Sequence, residues 1–206
     1  MICCIVLAAG MSTRFPWNKL LYVYEHEPLI VQTVQNILKS GSVNKIVVVT
    51  GFMSKHVEKV LMERGLNIDL VENPDYAKGG MSSSIKIGLR YITDRLSHVT
   101  AVMINPGDVA WVHPGIYTLI VTRFLENRDR YKIVVAGYRG KRGHPVLLSG
   151  TILEDLLSIS EEKQGLREIV HKYKYETLVV ETEYPGVLLD VNTVLDILKV
   201  KSTVYK

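Results

Sequence analysis

Short apolar, β-branched runs alternate with helix-periodic segments along most of the chain. Ile2 to Leu7, Ile46 to Thr50, Ile68 to Val71, Val99 to Ile104, Ile133 to Tyr138 and Leu178 to Glu181 read as strands. Several are nearly continuous in apolar residues, the pattern of strands covered on both faces. Between them, Ile30, Val34, Ile37 and Leu38 share one face of a helix predicted from Pro28 to Lys39, with Ser40-Gly41 ending it. A second helix turns Val57, Val60 and Leu61 inward, with Ser54 as its expected cap and Gly65 as its stop. Ile85, Leu89, Ile92 and Leu96 mark a third, which starts directly after the Gly79-Gly80 loop. Pro114 to Glu126, Thr151 to Ile159 and Leu166 to Tyr173 read as further helices. Val187 to Asp190 and Thr193 to Val200 predict a closing strand and helix. Strands alternating with helices in this way define an α/β class, a Rossmann-like three-layer sandwich around a mostly parallel sheet. Such sheets bind ligands beyond the carboxyl ends of their strands.

Composition narrows the functional classes. The chain has 206 residues, enough for one core and short for two, so a single domain over 1–206 is expected. Its 25 Lys and Arg against 21 Asp and Glu give a net charge of +4. That is too mild for a nucleic-acid binder, and it suits a polyanionic small molecule. Cys3 and Cys4 are adjacent, which excludes a disulfide framework and the usual zinc-ligand spacing. The apolar opening stops at Gly10, far short of the roughly 20 residues of a membrane span, and has no basic leader. Neither membrane nor nucleic acid is an expected partner, and the cytoplasm is the expected compartment.

Two strand ends carry the candidate chemistry. Leu7-Ala8-Ala9-Gly10-Met11-Ser12-Thr13-Arg14 follows the first strand, with Lys19 five residues beyond Arg14. Small residues there let backbone amides approach a phosphate, and two cations close behind can neutralise it. On spacing alone, a surface turn with two exposed cations explains the segment equally well. It is neither a Walker loop nor a G-x-G-x-x-G fingerprint. Asn105-Pro106-Gly107-Asp108 ends the strand at Ile104, and an Asp after Pro-Gly is more often a turn or cap residue. The strand end moves Asp108 toward function. Ser82 and Ser83 open a helix after two glycines, where a plain cap accounts for one of them.

Leu7-Ala8-Ala9-Gly10-x-Ser12-x-Arg14 with Lys19 resembles the signature of the nucleotidyltransferases that include molybdenum cofactor cytidylyltransferase and the related guanylyltransferase. Asn73-Pro74-Asp75-Tyr76 through Gly79 to Ser84 is similar to that family's Asn-Pro and Ser-Ser element. Gly107-Asp108 resembles its metal-binding Gly-Asp, and Gly143-His144-Pro145-Val146 its Gly-x-Pro-Val element. Asp190-Val191-Asn192-Thr193 resembles its Asp-Ile-Asp-Thr element, and these blocks run in family order from residue 7 to residue 193. The chain departs from the pattern at Phe15-Pro16-Trp17-Asn18, where the family has a glycine and a proline before the lysine. It departs again at Ala110, usually proline, and at Asn192, usually aspartate. Gln164-Gly165-Leu166-Arg167 matches the family's Gly-Ala-Arg only loosely.

The resemblance implies the nucleotide-diphospho-sugar transferase type of fold and transfer of CMP from CTP to a molybdopterin-type cofactor. It makes Arg14, Lys19 and Asp108 the catalytic candidates. Leu7, Ala8, Ala9, Gly10, Ser82 and Ser83 would hold the nucleotide, and His144 and Arg167 the acceptor. Mg2+ would sit on Asp108 and Asn192, with Asp190 as the alternative ligand or its orienter. Ala9, where the guanylyl branch usually has glycine, favours CTP over GTP. A molybdenum hydroxylase is the implied recipient of the product. Residue chemistry agrees, because nucleotidyl transfer mainly requires positioning and charge neutralisation. Two rivals stay open: transfer to another phosphorylated acceptor, and a carrier that binds molybdopterin without turning over CTP. The triphosphate-and-metal set argues against the carrier.

Overall fold

The computed structural model describes residues 1–204, so the last two positions of the expected domain lie outside the described residues. The strands are β1 (Ile2–Ala8), β2 (Val23–Tyr24), β3 (Glu27–Pro28), β4 (Lys45–Thr50), β5 (Asp69–Glu72), β6 (Ala101–Pro106), β7 (Ile133–Tyr138), β8 (Lys141–Ser149) and β9 (Thr177–Glu181). The helices are α1 (Leu29–Lys39), α2 (Ser54–Met62), α3 (Gly80–Thr93), α4 (Pro114–Asn127), α5 (Leu153–Ser158), α6 (Leu166–Lys172) and α7 (Val194–Val204). Seven strands form one sheet in the order β5-β4-β1-β6-β8-β7-β9. All are mutually parallel except β8, which runs antiparallel to β6 and β7.

The sheet's period-two alternation divides the core. Val6, Val48, Met103 and Val134 face α1, α2 and α4, which contribute Ile30, Ile37, Leu61, Tyr117 and Phe124. Ile5, Val47, Val49, Ile104 and Val135 face α3, α5 and α6, which contribute Ile85, Leu89, Leu156 and Ile169. Each such large side chain, fully buried, stabilises by about 1.5–3 kcal/mol relative to exposure. A third cluster of Tyr24, Leu29, Ala110, Val191, Ile197 and Val200 docks α7 against the end of the sheet that carries the site. Cys3 and Cys4 are buried free thiols, and burial pushes both up. Among the described residues, no helix is long and apolar enough to cross a membrane.

The sheet strands and the helices of the first half lie where the hydrophobic pattern predicts them, within a few residues, whereas the short β2–β3 ribbon has no predicted counterpart. The second half corrects it. Val187 to Asp190 is not a strand: Pro185–Leu188 form a 3-10 turn. Pro185 has no N–H for a ladder, and a Cβ on Gly186 would lie 2.0 Å from the Trp111 carbonyl oxygen. The predicted helix from Thr151 begins as a 3-10 turn, and α5 starts only at Leu153. β8 has no counterpart in the predicted elements, because Gly143 and Pro145 interrupt its run. Ser54 does not cap α2. Met53 holds the cap position with φ +58, and the Ser54 hydroxyl donates to Glu72 Oε1 at 3.0 Å.

Candidate active site

The loop after β1 is folded by its own side chains. Ser12 takes φ +52, and its carbonyl accepts from the Phe15 N–H at 2.8 Å to close a turn. Asn18, only 1% exposed, accepts from the Leu20 N–H at 3.0 Å and donates to the Phe52 carbonyl at 2.8 Å. It thereby caps the 3-10 turn Lys19–Leu21 and ties it to the loop after β4. The Lys19 N–H donates to the Ser12 hydroxyl at 3.2 Å. The unusual Phe15-to-Asn18 segment thus delivers Lys19 through a buried amide, with Trp17 left exposed.

Asp108 arrives from the next strand. The Gly107 N–H donates to the Leu7 carbonyl at 2.9 Å, and a Cβ there would lie 2.8 Å from Ile30 Cδ1. Only glycine lets this turn lie against β1, and the turn sets Asp108 beside the loop that carries Lys19. Lys19 Nζ donates to Asp108 Oδ2 at 2.6 Å, with side-chain exposures of 20% and 7%. A pair so sheltered from water is screened far less than a surface pair. The same Asp108 oxygen accepts from the Val191 N–H at 3.2 Å.

That contact brings in residues 190–193. Asn192 donates through Nδ2 to Asp190 at 2.8 Å, and its Oδ1 accepts from Arg14 Nη2 at 2.9 Å. Asp196 fixes the segment from the first turn of α7, its Oδ2 accepting from the Asn192 and Thr193 N–H groups at 3.1 and 2.8 Å. Burial alone raises the Asp196 carboxyl. Hydrogen bonds from the Thr193 N–H and hydroxyl, from Lys199 and from the Asn192 N–H outweigh burial and hold it at about 2. β8 adds His144, placed close to this segment because a Cβ on Gly143 would lie 2.1 Å from the Val187 carbonyl oxygen. Among the described residues, His144 Nδ1 is buried without a hydrogen-bond partner. Burial lowers the imidazole's pKa, opposed by the charges of Asp108 and Asp190.

A cavity of about 320 Å³ opens above the carboxyl ends of β1 and β6. Leu7, Ala9, Gly10 and Met11 form one wall, Tyr76, Gly80, Met81 and Ser84 the other, and Lys19 and Asp108 lie at its base. Gly51 keeps Ala9 and Tyr76 close, since its own Cβ would be 2.8 and 2.7 Å from theirs. Ser82 and Ser83 begin α3 as expected, but their hydroxyls are engaged elsewhere. Ser82 donates to Glu161, and Ser83 accepts from Asn73 Nδ2 at 2.8 Å. Ser84, one residue on, lines the cavity. Arg167 lies on the first turn of α6 in a separate cavity of about 330 Å³ with Met81, Glu161 and Gln164.

Oxygen donors suited to a hard divalent ion lie along these segments, the carboxylates of Asp108 and Asp190 and the amide oxygen of Asn192, with those of Asp108 and Asn192 held by Lys19 and Arg14. The strand expected before Asn192 is a turn, yet the Val191 contact still brings its segment to Asp108. Sequence reasoning missed Asn18, Ser84, Glu161 and Asp196. Thr193-x-x-Asp196 has the spacing of a helix-start capping signal and was available to it. No comparable local pattern marks Asn18 or Glu161.

A fold that collects cations and carboxylates where neighbouring parallel strands end is built for phosphate chemistry, and comparison with known proteins gives the same class. The profile of the MobA-like NTP transferase domain matches residues 4–178, and the chain belongs to that family of nucleotidyltransferases. It is 25% identical over 201 residues to the molybdenum cofactor cytidylyltransferase of Escherichia coli, covering 96% of this chain and 94% of that protein. It is 28% identical over 156 residues to a probable molybdenum cofactor guanylyltransferase of Thermococcus sibiricus, covering 75% of this chain and 70% of that protein. Its fold is similar to that of a nucleotidyl transferase from Methanothermobacter thermautotroptrophicus, with TM-score 0.79, 23% identity, and coverage of 98% of this chain and 96% of that one.

Proposed function

We propose that this nucleotidyltransferase moves CMP from CTP to the terminal phosphate of a molybdopterin-type cofactor and releases pyrophosphate, the chain working as one domain. The observation that carries the reading is the Lys19–Asp108 pair at 2.6 Å, at the base of a cavity walled by the Ala9-Gly10 loop and the start of α3. An acceptor phosphate oxygen attacks the α-phosphorus in line, and the bond from that phosphorus to the bridging β-phosphate oxygen breaks. Both reactants are anions, so the protein's work is to align them and offset charge. Lys19 swings from Asp108 onto the β- and γ-phosphates and the departing pyrophosphate. Arg14 reaches the same phosphates from its place beside Asn192. The backbone from Ala8 to Gly10 approaches the triphosphate, with no side chain larger than a methyl in the way.

Mg2+ fits the donors present. Asp108, with Asn192 and Asp190, would hold it, and when bound it supplies charge neutralisation at the α-phosphate. The base lies beside Ala9, whose methyl narrows the space and favours cytosine over guanine. His144 and Arg167 lie on the acceptor side, His144 as a neutral hydrogen-bonding group and Arg167 as a phosphate-binding cation. A molybdenum hydroxylase would receive the product. The test is pyrophosphate release by the purified protein with Mg2+, each nucleoside triphosphate in turn, and molybdopterin in its metal-free or molybdate-loaded form. Release dependent on molybdopterin and greatest with CTP is expected. Faster release with GTP at matched concentration overturns the base assignment, and no dependence on molybdopterin overturns the acceptor.

A further inference from the structure

The 3-10 turn Glu161–Lys163 and the first turn of α3 meet through one carboxylate. Glu161 Oε1 accepts from the Ser82 N–H at 2.7 Å and from the Ser82 hydroxyl at 2.8 Å. Two glycines with positive φ make room for it. A Cβ on Gly80 (φ +58) would lie 2.5 Å from Glu161 Cδ, and one on Gly165 (φ +57) 2.9 Å from the Ser82 hydroxyl. Hydrogen bonds to an ionised acceptor are the stronger kind, and a negative charge at the start of a 14-residue helix is further favoured by the helix dipole. Ser82 is buried at 3% exposure, while Glu161 itself is exposed.

The contact sits on the ridge between the two cavities. Met81, next to Ser82, lines both of them. From Glu161 the chain turns at Gln164 (φ +67), passes Gly165 and enters α6, where the Arg167 N–H donates to the Gln164 carbonyl at 3.2 Å. The Gly165 N–H donates back to the Ser160 carbonyl at 2.8 Å. Glu161 and Arg167 therefore belong to one internally hydrogen-bonded unit, and fixing Glu161 fixes the Arg167 backbone.

We propose that Glu161 is a positioning residue for nucleotidyl transfer. By clamping residues 161–167 to the first turn of α3, it holds the Arg167 cavity at a set distance from the nucleotide cavity. A phosphate monoester bound on the acceptor side then meets the α-phosphate of the nucleotide. Glu161 touches neither reactant and takes no proton. This inference rests on the transfer reading above and adds a residue that acts through Ser82 and Arg167.

The test compares the full chain carrying Glu161→Ala, Glu161→Gln or Ser82→Ala, in pyrophosphate release with Mg2+, CTP and molybdopterin. Misplacing a bound reactant by about 1 Å costs up to roughly 100-fold, so Glu161→Ala should lower kcat/KM for molybdopterin by about 30-fold. The KM for CTP should change less than about twofold, since the triphosphate grip is untouched. Glu161→Gln keeps an oxygen that accepts both Ser82 bonds and should recover to within about threefold of wild type. Ser82→Ala removes one bond of the two and should fall between them. Amide exchange over residues 160–168 should accelerate in Glu161→Ala and not in Glu161→Gln. An unchanged kcat/KM for molybdopterin in Glu161→Ala, a matching rise in KM for CTP, or failure of Glu161→Gln to restore activity overturns the proposal. A wild-type chain that releases no pyrophosphate overturns the transfer reading and this proposal together, whereas normal wild-type turnover beside unaffected variants overturns this proposal alone.

Discussion

The two halves of the molecule build their parts of the site by different means. Residues 1–110 place Lys19 and Asp108 from the ends of two adjacent parallel strands, β1 and β6, each followed by a loop whose backbone is fixed by buried hydrogen bonds. Residues 139–200 place His144, Arg167 and Asn192 from an antiparallel strand, a short helix after an αL turn, and a 3-10 turn. The first half has Lys19 and Asp108 already paired and part-buried. The second holds its groups through longer chains of contact: Gly143 against Val187, Glu161 against Ser82, Asp196 against Asn192 and Thr193. The lesson is that Lys19 and Asp108 are set directly from the sheet, while His144, Arg167 and Asn192 hang on side-chain clamps that can be removed one at a time.

Substitutions in the first half should therefore have the larger effects. Asp108→Ala removes the carboxylate that meets Lys19 and the Val191 N–H, and metal-dependent pyrophosphate release should fall by about 1,000-fold or more. Near-normal turnover would show that the metal is held elsewhere. Lys19→Ala should lower kcat/KM by about 100-fold, comparable with losing one preorganised donor to developing charge. Asn18→Ala leaves Lys19 in the chain but removes its buried cap. It should cost about 1–2 kcal/mol in denaturant unfolding, with a smaller loss of turnover than Lys19→Ala. If Asn18→Ala matches Lys19→Ala in activity and leaves stability untouched, the amide acts on substrate rather than on the loop.

The smallest effect belongs to the second half. Asp196 titrates at about 2 when folded and near 3.9 when unfolded. Its hydrogen bonds therefore contribute stability that is complete above about pH 4 and lost as pH falls through about 2. Amide protection of α7 should decline over that window, and Asp196→Asn should flatten the decline. A decline of the same size in both chains would remove Asp196 as the fastener of residues 192 and 193.

The same contrast explains what could be read from the residue pattern. Strands such as Ile46 to Thr50 and Val99 to Ile104 are apolar because both faces are covered, so burial and sequence report the same thing. The resemblance blocks located Lys19, Asp108 and residues 190–193, and the structure brings these together. Val187 to Asp190 misled because Val187 and Leu188 are buried against the main core cluster from a 3-10 turn rather than a strand, and Leu189 packs on the cluster around α7, a tertiary fact with no local signature. β8 was hidden by Gly143 and Pro145, which break a strand pattern, Gly143 serving close approach to residue 187. Ser82 and Ser83 were placed on the right helix turn, but which hydroxyl faces the cavity depends on Glu161, 79 residues away from Ser82 in the chain.

The central claim, that the nucleotide is gripped without help from Arg167 and its cavity, is tested most directly by calorimetric titration of CTP with Mg2+ into the protein in the absence of molybdopterin. Wild type and Arg167→Ala should bind with the same affinity, whereas Lys19→Ala should bind at least about tenfold more weakly, consistent with losing a charge-assisted contact to phosphate. Equal weakening in Arg167→Ala and Lys19→Ala would contradict the account, because it would make the acceptor side part of the nucleotide grip.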